Sequence, residues 1–441
     1  MGSGLHRPLE RWLWLAAYVV LLLCPLALLL AVPPRGADRL TLFGIAIGFV
    51  TLSTIVLQFL TPSRAPQFTS TFGIGPLLRL HRLMGYGVLL LLAIHIGVFV
   101  VHDPKQFVSW LLPIHGPFKA QAGWVAAVAL VAIAATSTWR RKLRLSYEHW
   151  RLVHILLGIA LVVGGATHAL LVSWYSAIDA LRGYIVIGMA VGLVALLYLR
   201  IGRPFAALGQ PYLLVGVDRE RGDAVTLRLE AQGHAGVPFL PGQFAWLRLN
   251  GRAFALTEHP FSYASSSSDP ARPTFTIKQL GDFTSRAHEL QPGSMIFLDG
   301  PHGAYEPVLP DAGFVLVVGG IGITPAMSII RTCADLQDPR PVQLIYGART
   351  WEDITFREEI EALHQRGALE VIYVLSNPEP GWTGRTGFVN GEVLAQVLPA
   401  DAVHRNFVVC GPPVMIDGVL KSLHELQIPP ALVYADRFDS V

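Results

Sequence analysis

The feature that most constrains this chain is an apolar stretch over residues 77–101 that carries two histidines, His81 and His95. It is longer than the about 20 apolar residues that cross a bilayer as a helix. Fourteen residues separate the two histidines. At about 100° and 1.5 Å per residue, both fall within roughly 40° of one helix face, about 21 Å apart along the axis. The stretch over 152–173 repeats the arrangement with His154 and His168, again fourteen apart. Polar residues inside a span are costly and usually functional, and neutral imidazole is a good axial ligand of haem iron. The pattern predicts two helices that clamp two haems, His81 with His154 at one depth and His95 with His168 at another. His149 lies nineteen residues before His168, about 100° off that face, and is read as part of the loop before the span.

Four further stretches, 12–32, 40–60, 121–138 and 181–199, bring the spans to six. The first is too long for a signal-peptide core and has no convincing cleavage site, so it is read as a retained span. With the N-terminus inside, twelve Lys and Arg residues flank the inner ends and five the outer ends, which puts both termini in the cytoplasm of a cell-membrane protein. Arg82 and Arg151 are candidates for haem propionates. His102 lies seven residues beyond His95, about 10 Å farther out on nearly the same face, where an acceptor would arrive. The formal net charge of +3 gives no reason to expect a nucleic-acid partner. The three cysteines form no CxxC pair, which argues against an iron–sulfur centre and leaves redox work to haem or flavin.

After Pro204 the texture changes. Alternating segments at 211–217 and 224–231 flank Arg221-Gly222-Asp223, a hairpin signal. With strands at 243–249 and 274–278 they predict a small antiparallel barrel that ends near Gly303. Strands at 314–320, 343–347, 369–376 and 406–410 then alternate with helices at 326–336, 357–365, 391–398 and 414–426, the pattern of a doubly wound parallel sheet. Gly319, Gly320 and Gly322 follow the first of these strands, where glycines let the backbone approach a pyrophosphate and a helix N-terminus offers it N–H groups. Thr324 is expected at the N-cap and Pro325 at the first helical position.

Five motifs occur in order: HPFS (259–262), GDFT (281–284), GPHGAY (300–305), GGIGITP (319–325) and CGPP (410–413). Together with the paired histidines they resemble the ferric reductase and NADPH oxidase superfamily. The resemblance implies a multidomain fold: an all-α six-helix transmembrane bundle over 1–205, an antiparallel β-barrel FAD domain over 206–308, and an α/β doubly wound NAD(P)H-binding domain over 309–441. It implies two haem b, FAD, and NADPH or NADH. In the family's pattern His259, Pro260, Phe261 and Ser262 line the flavin, with Phe261 packed on it and Ser262 near its reactive nitrogen. His259 stands where soluble relatives carry arginine, so Lys278, Arg286 and the backbone from Gly281 to Thr284 are the candidates to meet the pyrophosphate. Gly300 and Gly303 in GPHGAY are likewise cofactor-binding positions in that pattern, the plainer alternative being a turn that leaves the barrel. Cys410, with Gly411, matches the family cysteine beside the nicotinamide, and no activating base makes it a nucleophile. Phe438 is the best match for a C-terminal aromatic covering the flavin. Ser262, Cys410 and Phe438 are thus the residues expected around hydride transfer. Arg349 and Arg385 are candidates for a 2′-phosphate, with Ser376-Asn377 standing where NADPH enzymes carry Ser-Arg and no acid evident there.

The activity this implies is transmembrane electron transfer from cytoplasmic NAD(P)H through FAD and two haems to an acceptor outside, either a ferric chelate or dioxygen. Alternatives are a membrane subunit that supplies a separate periplasmic partner protein and a non-enzymatic haem carrier or sensor. Beyond the acceptor, membrane lipid is the expected partner.

Overall fold

The structure, a computed structural model, describes residues 6–31, 38–110, 116–172, 179–249, 251–255, 257–280, 284–303, 305 and 307–437. The chain divides into two compact units, Met1–Gly202 and Arg203–Val441.

The first unit is helical: α1 (His6–Ala31), α2 (Arg39–Leu60), α3 (Pro66–Phe72), α4 (Ile74–His102), α5 (Pro104–Trp110), α6 (Phe118–Thr138), α7 (Tyr147–Leu171) and α8 (Asp179–Leu197), with a π turn at Tyr198–Gly202. Among the described residues six helices are long and apolar enough to cross a membrane, and this is a multi-pass membrane protein. The most enclosed of them is α2, which carries none of the four paired histidines. It packs against α4, α1 and α8, while α6 packs against α7. Its buried hydroxyls are satisfied within the helix: Thr51, Ser53 and Thr54 donate to the carbonyls of Ile47, Phe49 and Val50 at 2.7, 2.9 and 2.7 Å.

Three details differ from the sequence reading. The short helices α3 and α5 occupy segments read as loops. Proline opens each, and the Asp103 carboxylate accepts from Gln106 N at 3.0 Å at the start of α5. The fifth span starts at Tyr147 because Ser146 caps it, so His149 lies in the first turn of α7 rather than in a loop.

The second unit opens with α9 (Arg203–Leu208) and continues through β1 (Tyr212–Glu220), β2 (Ala224–Ala231), β3 (Phe244–Arg248), β4 (His259–Ser262), β5 (Thr274–Lys278) and β6 (Met295–His302). These form an antiparallel sheet in the order β4-β3-β6-β1-β2-β5, and an isolated bridge between Tyr263 and Phe275 joins its two edges. Leu214, Leu227, Leu247, Tyr263 and Phe275 fill the interior. The β1–β2 turn uses positive φ at Gly222 and Asp223. β6 went unread in the sequence, and HPFS forms the edge strand β4.

The remainder alternates: β7 (Phe314–Gly319), α10 (Ile323–Asp335), β8 (Val342–Ala348), α11 (Arg357–Gln365), β9 (Glu370–Leu375), β10 (Arg385–Thr386), α12 (Gly391–Val397), β11 (Asn406–Gly411), α13 (Pro413–Glu425) and β12 (Val433–Arg437). The sheet order is β10-β9-β8-β7-β11-β12, with apolar clusters on both faces. All of β7 is buried, as a central parallel strand must be. The order reverses at β7, so the loop after it lies at the topological switch point, where such sheets bind ligands.

Candidate functional site

Within the membrane unit the histidines meet in two pairs. The His81 and His154 ring centroids are 6.1 Å apart, and those of His95 and His168 are 6.3 Å apart. Two metal–nitrogen bonds of about 2 Å plus two half-rings of about 1 Å come to about 6 Å, so each pair has the spacing of imidazoles on opposite sides of one metal. The remaining nitrogens are tied back. His95 Nδ1 lies 2.8 Å from Gly44 O, and His168 Nδ1 lies 2.8 Å from Lys119 O. A carbonyl only accepts, so both Nδ1 atoms carry the proton and both Nε2 lone pairs are free for a metal. His81 Nδ1 is 3.2 Å from Thr61 Oγ1, and His154 Nδ1 is 3.4 Å from Ser137 Oγ. Among the described residues no three His, Cys, Asp or Glu side chains group as a metal site. Two axial nitrogens per site suit a metal that arrives with its own equatorial ring, as in haem.

Sequence reasoning missed the residues that make room for these rings. A Cβ on Gly48 would lie 2.7 Å from His95 Cε1, and one on Gly123 would lie 2.9 Å from His168 Nδ1. Gly44 and Gly48 are four apart on α2, a small-xxx-small signal of close helix crossing that could have found the first. Of the two arginines singled out, Arg151 is buried against the Tyr147 ring and Arg82 is exposed. His102 ends α4, with Nε2 3.4 Å from Thr41 Oγ1 and 3.6 Å from Asp38 Oδ2. Asp38 caps α2, and the Thr41 hydroxyl, first among several hydrogen bonds, holds its carboxyl down at about 2.

In the soluble unit the loop after β7 and the end of β11 are brought together. A Cβ on Gly319 would lie 2.5 Å from Met415 Sδ, one on Gly411 would lie 3.1 Å from Gly319 N, and one on Gly322 would strike the Cys410 carbonyl. Cys410 itself is fully buried. Gly320 has φ +54 and open space around its Cα. The expected cap is displaced: a 3-10 turn over Gly320–Gly322 starts the coil early. Gly322 therefore caps α10, and Thr324 and Pro325 lie inside its first turn, with Thr324 Oγ1 donating to Ile321 O at 2.9 Å.

α10 is bonded to the chain that runs on from β4. Ser328 Oγ donates to Ser265 O at 2.8 Å, and Arg331 Nη1 donates to Ala264 O at 2.7 Å. This fixes the glycine loop relative to His259, Pro260, Phe261 and Ser262. Ser262 is buried, and its Oγ has no hydrogen-bond partner among the described residues. β3 separates β4 from the end of β6, with Phe244 opposite both Ser262 and His302. A Cβ on Gly300 would lie 2.8 Å from Ala245 Cβ, and Gly303 has φ +109. Lys278 pairs with Ala224 beside the β1–β2 turn. Thr284 Oγ1 accepts from Leu280 N at 2.9 Å. Arg286 is exposed and paired with Glu289 at 3.2 Å. Gly281 and Phe438 lie outside the described residues.

Around the end of β8, Arg349 is exposed, and its carbonyl accepts from Asn377 N at 2.7 Å. Arg385 Nη1 donates to Gln396 Oε1 at 2.5 Å. An acid does reach this corner, contrary to the sequence reading: Glu379 Oε1 accepts from Trp351 N at 3.2 Å. The chain folding back after β9 brings it there.

Comparison with known proteins adds to this geometry. Residues 47–165 match the model of the ferric reductase like transmembrane component, and residues 316–421 match that of the oxidoreductase NAD-binding domain. Together the two matches give the chain the architecture of the ferric reductase and NADPH oxidase superfamily. The soluble unit is an oxidoreductase module of the FAD and NAD(P)H type. It is 33% identical over 184 residues to NADH-cytochrome b5 reductase 1 of Mortierella alpina, covering 40% of this chain and 60% of that protein. It is 32% identical over 231 residues to the reductase component of propane 2-monooxygenase of Rhodococcus jostii (strain RHA1), covering 49% and 60%. The chain thus spans 60% of the length of these two curated relatives. Among solved structures, the ferredoxin reductase of carbazole 1,9a-dioxygenase aligns at TM-score 0.46 and 25% identity, covering 52% of this chain and 69% of that one.

Proposed function

We propose that this chain is a transmembrane oxidoreductase that takes electrons from cytoplasmic NAD(P)H and delivers them to a small acceptor on the far side, a ferric chelate or dioxygen. The observation that carries the reading is the two imidazole pairs, each at bridging distance with its Nδ1 atoms tied back. They lie in one chain with a glycine loop at a switch point. When bound, the flavin accepts a hydride and the two haems carry single electrons, which is chemistry the cofactors bring with them.

The chain's own residues hold and orient. His81 with His154 and His95 with His168 would supply the imidazole nitrogens that hold the haem irons. Gly48 and Gly123 leave space for the outer pair, and Thr61 and Ser137 orient the inner pair. Gly319, Gly320 and Gly322 let a pyrophosphate approach the N–H groups that open α10, with Cys410 and Gly411 closing the far side of that loop. Ser262 offers a buried hydroxyl to the flavin. The excess of basic residues at the inner ends supports a cytoplasmic soluble unit. Arg349 favours a 2′-phosphate and Glu379 opposes one, so the ratio of NADH to NADPH rates reads their balance. His102, with Asp38 and Thr41, stands where an acceptor would approach.

The test is NAD(P)H oxidation by the purified full-length protein under air, with anaerobic ferric citrate, and with no acceptor. Oxidation that depends on one acceptor identifies it; equal rates in all three arms overturn the reading. Gly320→Glu should block flavin reduction and leave haem content normal, because a carboxylate would oppose the pyrophosphate in charge and bulk.

A further inference from the structure

Behind β4 and β6 lies a set of five buried ionisable side chains that the proposed chemistry does not use. Arg203 Nη2 is 2.7 Å from Asp299 Oδ1, and His302 Nε2 is 3.3 Å from the same oxygen. Arg248 Nη2 is 2.7 Å from Glu258 Oε2 and 3.9 Å from Asp299 Oδ2. The side chains of Arg248, Glu258, Asp299 and His302 are 2–3% exposed, and that of Arg203 is 13% exposed. Two arginines and two carboxylates balance in formal charge, which suits a neutral His302. Because the ionised Asp299 only accepts, His302 carries its proton on Nε2 and presents Nδ1 as an acceptor. Arg248 Nε and Nη1 have no hydrogen-bond partner among the described residues, so its charge is shared between Glu258 and Asp299.

The placement of the carboxylates gives the set its meaning. Glu258 immediately precedes β4, and Asp299 lies in β6 immediately before its last three residues, 300–302, so that the turn expected at Gly300 is strand. Each of the two segments read as flavin-holding therefore starts from a carboxylate gripped by an arginine. Arg203 comes from outside the barrel: it opens α9, whose Ala207 packs with Phe297 of β6 and with Ala253. Burying charges costs several kcal/mol per ion unless geometry and partners recover it.

We propose that Arg203 is a positioning residue for the flavin, which through Asp299 fixes neutral His302 and the end of β6 up to Gly303. This rests on the reading that residues 259–262 and 300–303 hold the flavin. The charge itself matters, because an Asp299 left without Arg203 opposes the electrons added when the flavin is reduced.

The experiment uses the full-length protein, with haem content as the check on folding. FAD affinity and flavin midpoint potential are measured for Arg203→Met, Arg203→Lys, and Arg203→Met combined with Asp299→Asn. Arg203→Met should weaken FAD binding at least tenfold and make the potential more negative. Arg203→Lys should stay within threefold of the parent, and the double variant should recover most of both losses, since no charge is then stranded. Unchanged affinity and potential in Arg203→Met, or a double variant as impaired as the sum of its parts, overturns the proposal. Should Arg203→Met not fold, the Lys variant and the double variant still decide it. Ser262→Ala separates the two readings. If it alone changes the flavin, only the positioning role fails; if neither substitution does, the flavin site itself is wrong.

Discussion

In the membrane unit each paired histidine is steadied by one neutral partner: the Gly44 and Lys119 carbonyls, or the Thr61 and Ser137 hydroxyls. In the soluble unit the groups behind β4 and β6 are ionised and share partners, as Asp299 does with Arg203, Arg248 and His302. The difference follows from solvent. A net hydrogen bond between neutral groups is worth about 0.5–1.5 kcal/mol, whereas stranding one member of a buried ion pair costs about 3–5 kcal/mol. Among the spans, neutral partners hold a ring in place without burying charge. In the barrel, charge pairs tie distant segments rigidly and make each partner expensive to lose.

The sharpest break between the units should come from His95→Leu. It should remove one haem completely, taking haem per flavin from two to one, while the flavin is still reduced by NAD(P)H. Loss of flavin reduction as well would mean the units are not separable in this way. Next in size is Arg248→Met, which leaves Glu258 buried without its partner. It should destabilise the soluble unit by about 3–5 kcal/mol, read as an earlier thermal release of flavin with the haem spectrum intact. Gly48→Ala tests the tight fit in the membrane unit, where the new Cβ would meet His95 Cε1 at 2.7 Å. Overpacking of that kind costs about 1–3 kcal/mol. The outer haem should become easier to extract, and the inner one should not change.

How much of this could be read beforehand depends on the range of the interaction. The histidine pairs were legible because spacing along one helix fixes depth and face. The glycine loop was legible because a strand, a turn and a helix lie in sequence order. Gly123 was not, and Gly48 only through its spacing from Gly44, because the need for a missing side chain arises where α2 packs on α4 and α6 on α7 beside the imidazoles. β4 was hidden by Pro260, which strands tolerate at a sheet edge, and β4 is an edge strand. Arg203 and Asp299 lie ninety-six residues apart, and nothing local marks either as a partner of the other. The capping position slipped because the 3-10 turn at Gly320–Gly322 advanced the helix start.

The smallest effect concerns an ion pair nearer the surface. Arg340 beside Asp338, mainly through side-chain hydrogen bonds, holds the Asp338 carboxyl below its usual range. A lowered folded value means the stabilisation is present in full above the ordinary carboxylate range and fades as pH falls through the folded value. Asp338→Asn should therefore lower the melting temperature at pH 7 by an amount worth at most about 1 kcal/mol. Near pH 2 the variant and the parent should melt together. A difference that persists in acid would show that the carboxylate's charge is not what matters.

The ion pair between Arg203 and Asp299 also bears on where this protein can be divided. A reductase half cut free at residue 206, the start of the barrel domain in the sequence reading, would lack the guanidinium that pairs with Asp299 of β6. It would be expected to shed FAD even though every barrel and nucleotide motif were present. Transplanting this module onto another carrier would require taking the short helix from Arg203 to Leu208 with it. If Arg203 positions the flavin as proposed, the functional seam of the chain falls earlier than its change in texture, and a graft that respects composition alone would cut through it.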